Sequence, residues 1–460
     1  MPLTAAELVK ADHDHLIHPL HHPVDNAEPV IYVRGRGATV TDIGGREYLD
    51  GLAGLWNVNV GHGRAELAEA ASSQMKELAY YSGYVGSSNV AAIPLASRLV
   101  GLASGTMQAV FFASGGAEAN ESAFKTARFY WKAVGKPDKV KVIARQNAYH
   151  GVTAQAMSAT GMAAYWKMFE PRVPGFVHIP TCYPYRQQGV RAGETAGQAA
   201  ARELEEAILR EGPETVAAFI AEPIHGGGGV LYPTDDYFPR VREVCTRHEV
   251  LFIADEVITG FCRTGRWFAL SHWNVTPDIL SFAKGVTSGY LPLGGIMVSR
   301  AIKDVMDSVK PEDRWMHAYT YSGHPTCCAV ALANLDIMER ERLWERAATL
   351  GARLHEALRA AFGNHPHTGD IRGGKGLLAA LELVEDRASK ANFPAEKKVG
   401  PRVQAEMMKR GLVTRVRPVA GPHPATGDIV FYAPPLVVTE AEVDRMVAIT
   451  RDAVKAVLGM

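Results

Sequence analysis

The run Val250-Leu251-Phe252-Ile253-Ala254-Asp255-Glu256, followed by Asp278-Ile279-Leu280-Ser281-Phe282-Ala283-Lys284-Gly285, reads as two strands buried on both faces, each ending in charge. Short apolar runs bounded by turn residues suit the interior of a parallel sheet. Ligands in such sheets sit beyond the carboxyl ends of the strands. Asp255 and Lys284 are therefore delivered to one place from separate strands. A lysine at a dry strand end loses its proton more readily, because desolvation disfavours the ammonium, and the free amine attacks aldehydes. An aldehyde cofactor with a ring nitrogen uses a lysine for a Schiff base and a carboxylate for the pyridinium, which describes pyridoxal phosphate. The alternative is a structural buried ion pair.

Working outward, Ala109-Val110-Phe111-Phe112-Ala113 runs into Ser114-Gly115-Gly116-Ala117-Glu118-Ala119-Asn120 and then a helix. Strand, glycine turn and helix start form an anion-binding geometry, although glycine also serves ordinary tight turns. Without the GKS/T of a nucleotide loop or the spacing of a dinucleotide fingerprint, a monophosphate fits better. The strand Lys141–Ala144 leads to Tyr149-His150-Gly151, where an aromatic ring either stacks on a flat cofactor or belongs to a polar turn. Thr215–Ile220 ends in Glu222-Pro223, a second strand-end carboxylate, before four glycines, Gly226 to Gly229. Residues 171–194 read as loop. Strand–helix alternation from about residue 65 to 330 predicts one large α/β domain on a mostly parallel sheet.

Upstream, residues 30–50 read as a small β-meander, and Gly51-Leu52-Ala53-Gly54-Leu55-Trp56 as an apolar loop. Trp56 either walls a pocket or fills core. Downstream, the pattern predicts helices over Leu343–Ala361 and Pro401–Arg410 and one strand running from Asp370 through Leu383. A further strand is predicted at Leu412–Val416, then another at Ile429–Ala433 and a helix opened by a capping box at Thr439. Domains are expected at 1–65 (arm and meander), 66–330 (large domain) and 331–460 (C-terminal small domain).

With 460 residues the chain exceeds one usual hydrophobic core. Lys plus Arg and Asp plus Glu both number 49, so no polyanionic partner, nucleic acid included, is indicated. Five scattered cysteines without CxxC spacing read as free thiols of a reducing compartment. No apolar run approaches membrane-spanning length, and the expectation is a cytoplasmic protein without membrane contact. His13, His15, His18, His21 and His22 lack accompanying cysteine or paired carboxylates, and Pro19 and Pro23 break any helical face, so an arm is expected there and no metal site.

Taken together these residues resemble class III aminotransferases, pyridoxal-phosphate enzymes of fold type I, and within them the ω-transaminases. The resemblance rests on the ordered set Ser114–Glu118, Tyr149–Gly151, Glu222-Pro223, Ala254–Val257, Phe261-Cys262-Arg263-Thr264-Gly265 and Ala283–Gly285. It implies a mostly parallel seven-stranded sheet in the large domain and a smaller α+β domain built from both chain ends. It further implies that Lys284 forms the Schiff base, that Asp255 keeps the ring nitrogen protonated, and that Val257 and Tyr149 cover the ring faces. Gly115, Gly116 and Ala117 would hold the phosphate, with Thr320 of a partner subunit, and His150 and Glu222 join the cofactor-binding set. A homodimer or dimer of dimers with shared sites follows. Trp56, Tyr84 and Tyr319 match pocket walls, Tyr165 adds to the pocket, and Arg415 matches a carboxylate-binding arginine with Arg417 as rival on the same strand face.

The expected reaction moves an amino group from a primary amine, diamine or ω-amino acid to pyruvate, giving alanine, through alternating pyridoxal and pyridoxamine forms. The alternatives are a pyridoxal-phosphate aminomutase or amino-acid racemase of the same fold. Two departures stand out: Gly115 replaces a frequent serine, and Arg372-Gly373-Gly374-Lys375-Gly376 is one residue longer than the usual pattern.

Overall fold

A computed structural model of the chain describes residues 3–25, 27–103, 105–419 and 426–459. Its strands in chain order are β1 (Tyr32–Arg36), β2 (Thr39–Asp42), β3 (Glu47–Asp50), β4 (Met107–Ala113), β5 (Lys141–Arg145), β6 (Phe176–Ile179), β7 (Val216–Ala221) and β8 (Leu251–Asp255). They continue with β9 (Ile279–Phe282), β10 (Gly294–Ser299), β11 (Thr368–Arg372), β12 (Ala379–Leu383), β13 (Leu412–Val413), β14 (Val416–Arg417) and β15 (Asp428–Tyr432).

Seven strands form the central sheet in the order β4-β10-β9-β8-β7-β5-β6. Pairing is parallel from β9 through β6, and only β10 runs antiparallel to its neighbours β4 and β9. The central strands are buried along their whole length, which is why they read as continuous apolar runs without alternation. Helices over Gly116–Ala133, Ala196–Glu211 and Tyr237–Arg247 cover the sheet through one apolar face each.

The smaller part contains two four-stranded sheets, β1-β2-β3-β13 and β11-β12-β15-β14. β13 pairs in parallel with β3, so the C-terminal segment completes the N-terminal meander. Thr439 caps the last helix, Glu440–Leu458, with a full capping box, as its sequence predicts.

Three expectations need correction. The presumed loop 171–194 contains β6, the parallel edge strand, whose four residues are too few for a periodic signal. Asp370–Leu383 is no single strand, because Gly374 (φ 102°) and Gly376 (φ 66°) turn the chain into the β11–β12 hairpin. Leu412–Val416 is likewise broken: β13 joins one sheet and β14 the other, so Arg415 and Arg417 do not share a strand face. Helices over Ala92–Leu102, Ala154–Ala159 and Arg300–Ser308 had no counterpart in the sequence reading. The N-terminal helix Ala5–His15 has no buried residue, as suits an arm.

Candidate active site

The carboxyl ends of β5, β7, β8 and β9 open onto a cavity of about 410 Å3, closed on another side by the start of the helix Gly116–Ala133. Lys284, Asp255, Glu222, Tyr149, His150, Val257 and residues 115–117 all line it, so the strand-end reading brings those nine predicted positions together.

Asp255 is 3% exposed and held by three donors. Its Oδ2 accepts from His150 Nδ1 at 2.7 Å and from Asn120 Nδ2 at 2.8 Å, and its Oδ1 accepts from the Val257 amide at 3.1 Å. Asn120 also donates to the His150 carbonyl at 2.8 Å, tying helix to loop. Such a set keeps a buried carboxylate oriented and makes its charge available on the cavity side.

Lys284 stands two residues beyond the end of β9, in a left-handed conformation at φ 44°. Its Nζ donates no hydrogen bond among the described residues. Burial pushes its ammonium down from the ordinary lysine value, while the charges of Asp255 and Glu222 oppose that fall. Glu222 accepts from the Tyr149 amide at 3.1 Å and the Gly226 amide at 2.8 Å. Burial raises its carboxyl from the ordinary range; Asp255 adds to the rise, and His150 and the Gly226 amide oppose it.

The amides of Gly116 and Ala117 fall in the first turn of a helix, where no intrahelical partner exists, and they face the cavity with the positive helix end behind them. A β-carbon on Gly116 would come within 3.0 Å of Val257 Cγ1, so a side chain there presses on Val257. At Gly115 the backbone is extended (φ −174°) and nothing lies within 4 Å of an added β-carbon. Gly115→Ser is therefore expected to fold normally and to add one hydroxyl to the anion cup. Retention of the cofactor after dialysis should improve by roughly three- to tenfold, about the worth of one hydrogen bond. Equal or weaker retention would show that the hydroxyl does not reach the phosphate.

The remaining predicted residues lie off this cavity. Trp56 (φ 65°) is buried against Phe431, with ring centroids 5.3 Å apart. Tyr84 and Thr320 are exposed, and the Thr320 carbonyl accepts from Tyr80 Oη at 2.7 Å. Tyr319 is half-buried and donates to the Glu118 carbonyl at 3.1 Å. Tyr165 packs against Tyr149 at 5.5 Å. Arg417 donates to the Gly228 carbonyl and, at 3.0 Å, to Asn147 Oδ1, whereas the exposed Arg415 side chain donates no hydrogen bond among the described residues. Sequence reasoning assigned no role to Asn120, Asn57 or the segment Thr287–Leu293, all of which contribute to the site or its walls. For Asn120 a signal existed: it sits one turn into the helix that follows the glycine turn.

A planar ring with a phosphate fits these residues. The partnerless Lys284 amine, the caged Asp255 carboxylate, the cavity-lining Val257 and Tyr149 and the open helix amides each match one part of pyridoxal phosphate. Fold and site together are those of pyridoxal-phosphate enzymes. The description "Aminotransferase class-III" matches residues 21–454, and the chain belongs to that family. It is 41% identical to a diaminobutyrate–2-oxoglutarate transaminase of Halomonas elongata, over 99% of this chain and 97% of the relative. Identity to a putrescine–pyruvate aminotransferase of Pseudomonas aeruginosa is 39%, over 92% and 89% of the two chains. A thermostable (S)-enantioselective ω-transaminase from Thermomicrobium roseum superimposes with a TM-score of 0.92 at 47% identity, covering 100% of this chain and 99% of that one. The protein is thus a pyridoxal-phosphate-dependent aminotransferase of class III. Among its described residues no helix is long and apolar enough to cross a membrane.

Proposed function

We propose that this aminotransferase moves an amino group from a primary amine, diamine or ω-amino acid to pyruvate, giving alanine. Pyridoxal phosphate, when bound, supplies the electron sink and carries the amino group between the two half-reactions. Lys284 would hold the cofactor, then take a proton from the substrate's α-carbon and return it on the cofactor side. Asp255 would keep the ring nitrogen protonated, Val257 and Tyr149 would confine the ring, and the amides of residues 115–117 would anchor the phosphate.

The observation that carries the acceptor assignment is the contrast between the two arginines. Arg417 is tied to Gly228 and Asn147, while Arg415 has no hydrogen-bond partner among the described residues and its charge reaches Tyr149 at the cavity wall. A guanidinium with free donors suits a keto-acid carboxylate. Relatives named for putrescine with pyruvate, and for diaminobutyrate with 2-oxoglutarate, support diamine or amino-acid donors. Arg415→Ala is expected to raise KM for pyruvate about 10- to 100-fold, as loss of a charge-assisted pair does, while KM for an amine without a carboxylate stays within about twofold. Equal effects on both substrates would remove Arg415 from the carboxylate role. A panel of amines assayed with pyruvate against 2-oxoglutarate tests the function itself, and turnover of amine without any keto acid would favour a racemase or mutase.

The same reading makes the enzyme a homodimer or dimer of dimers. Thr320, Tyr84 and Tyr319 do not line the cavity of their own chain, which supports their serving a partner's. It also divides the chain into 66–330 and a smaller unit from 1–65 and 331–460, supported by the β3–β13 pairing.

A further inference from the structure

Lys284, Gly285 and Val286 form a single helical turn directly after β9, closed by the Val286 amide donating to the Ala283 carbonyl at 3.1 Å. The turn begins with a lysine at φ 44°, a sparsely populated conformation for a residue with a side chain, and such geometry persists only where the surroundings impose it. One side is walled by Asn59 and Phe261: a β-carbon on Gly285 would meet Asn59 Nδ2 at 2.7 Å and Phe261 Cβ at 2.8 Å. From the other side comes Asn334, on the helix Pro325–Arg340. Its Nδ2 donates to the carbonyls of both Gly285 and Val286 at 2.9 Å.

Asn334 is wholly buried on a helix whose neighbours Val330, Ala331, Leu335, Ile337 and Met338 are buried too, and its Oδ1 has no partner among the described residues. An amide in such a place costs free energy unless its hydrogen bonds are used, and an apolar residue would pack as well. Both donors go to the backbone that follows Lys284, and no other side chain among the described residues bonds to the main chain of residues 284–286.

We infer that Asn334 is a positioning residue for Lys284. By holding two carbonyls of the turn, it fixes the left-handed backbone from which the lysine amine enters the cavity. The inference rests on the reading of Lys284 as the cofactor's attachment point.

The test prepares apoprotein of wild type, Asn334→Ala, Thr326→Val and Lys284→Ala and adds pyridoxal phosphate. Thr326 lies on the same helix, buried, and donates to the Ala79 carbonyl at 3.1 Å without touching the lysine turn. The readouts are the rate at which cofactor becomes fixed to protein by borohydride, the visible circular dichroism of the bound cofactor, and kcat and KM. Asn334→Ala is expected to slow both attachment and kcat about 10- to 100-fold, with altered dichroism and KM within about threefold, as a small displacement of a reacting group does. Thr326→Val is expected to lower the melting temperature while leaving attachment and dichroism as in wild type. Should Asn334→Ala be insoluble, Asn334→Ser keeps one donor and is expected to fall between. Wild-type attachment in the soluble Asn334 variant, or an equal loss in Thr326→Val, overturns the inference. Borohydride fixation in Lys284→Ala would instead overturn the reading of Lys284, so the two failures are distinguishable.

Discussion

Lys284→Ala is expected to abolish amino transfer, with kcat reduced by at least about 10^4-fold, the upper range for loss of a positioned acid–base group. Its amine has no hydrogen-bond partner among the described residues, and burial already pushes its ammonium down toward the free-base form that a nucleophile needs. No neighbouring amine can replace it. Truncation should not harm the fold, because an isolated amine in a cavity contributes no packing that surrounding atoms depend on, and burying an ammonium is unfavourable. Apoprotein of the variant is therefore expected to melt within a few degrees of wild type or above it. The decisive measurements are borohydride-stable cofactor attachment, visible absorbance and the rate of alanine formation. A variant that turned over at even a hundredth of the wild-type rate, without added amine to rescue it, would place the proton-transfer group elsewhere.

Much of this site was legible because the chemistry sits where regular structure ends. A strand buried on both faces has no reason to finish in a charge unless that charge does something, so Asp255 and Lys284 stand out from Phe252-Ile253-Ala254 and from Leu280-Ser281-Phe282-Ala283. The helix after Gly115-Gly116 follows the same logic. What escaped notice depends on partners remote in sequence. β13 and β14 lie within one short extended stretch, Leu412 to Arg417, and no local pattern reveals that the first half pairs with β3 and the second with β15. That break is what separates Arg415 from Arg417. The hairpin at Gly374 and Gly376 hides within a plausible strand because glycine is compatible with both. A β-carbon at Gly376 would come within 2.3 Å of the Arg263 carbonyl, which is a tertiary reason. Asn334 was within reach: a polar amide in Ala329-Val330-Ala331-Leu332-Ala333-Asn334-Leu335 contradicts its surroundings and asks for a partner. Trp56 shows the opposite case. An aromatic on a glycine-flexed loop suits a pocket wall, yet in the single chain the left-handed turn at Trp56 directs the ring onto Phe431.

Asp255→Asn is expected to lower kcat by about 10^2- to 10^3-fold while leaving KM for the amine within a few-fold, as loss of one preorganised electrostatic contact does. The substitution preserves shape but removes the charge that a protonated ring nitrogen needs. It also replaces one acceptor oxygen by an amide. Either Asn120 and His150 then lose the shared acceptor at Oδ2, or the Val257 amide loses Oδ1. A buried donor left without an acceptor costs about 1–3 kcal/mol, so the melting temperature should fall measurably. Asp255→Ala strands all three donors and is expected to be the less stable of the pair. Comparing the two separates the electrical role from the structural one: Asn keeps most of the cage and loses the charge, whereas Ala loses both. If charge governs, both variants show similarly low kcat in single half-reactions despite different melting temperatures. If the cage governs, activity follows stability, with Asn retaining within about threefold of wild-type kcat, and the assignment of Asp255 to the ring nitrogen fails. A wavelength scan of each loaded variant reports the same distinction independently of turnover, because ring-nitrogen protonation changes the cofactor's visible band whether or not the cage survives.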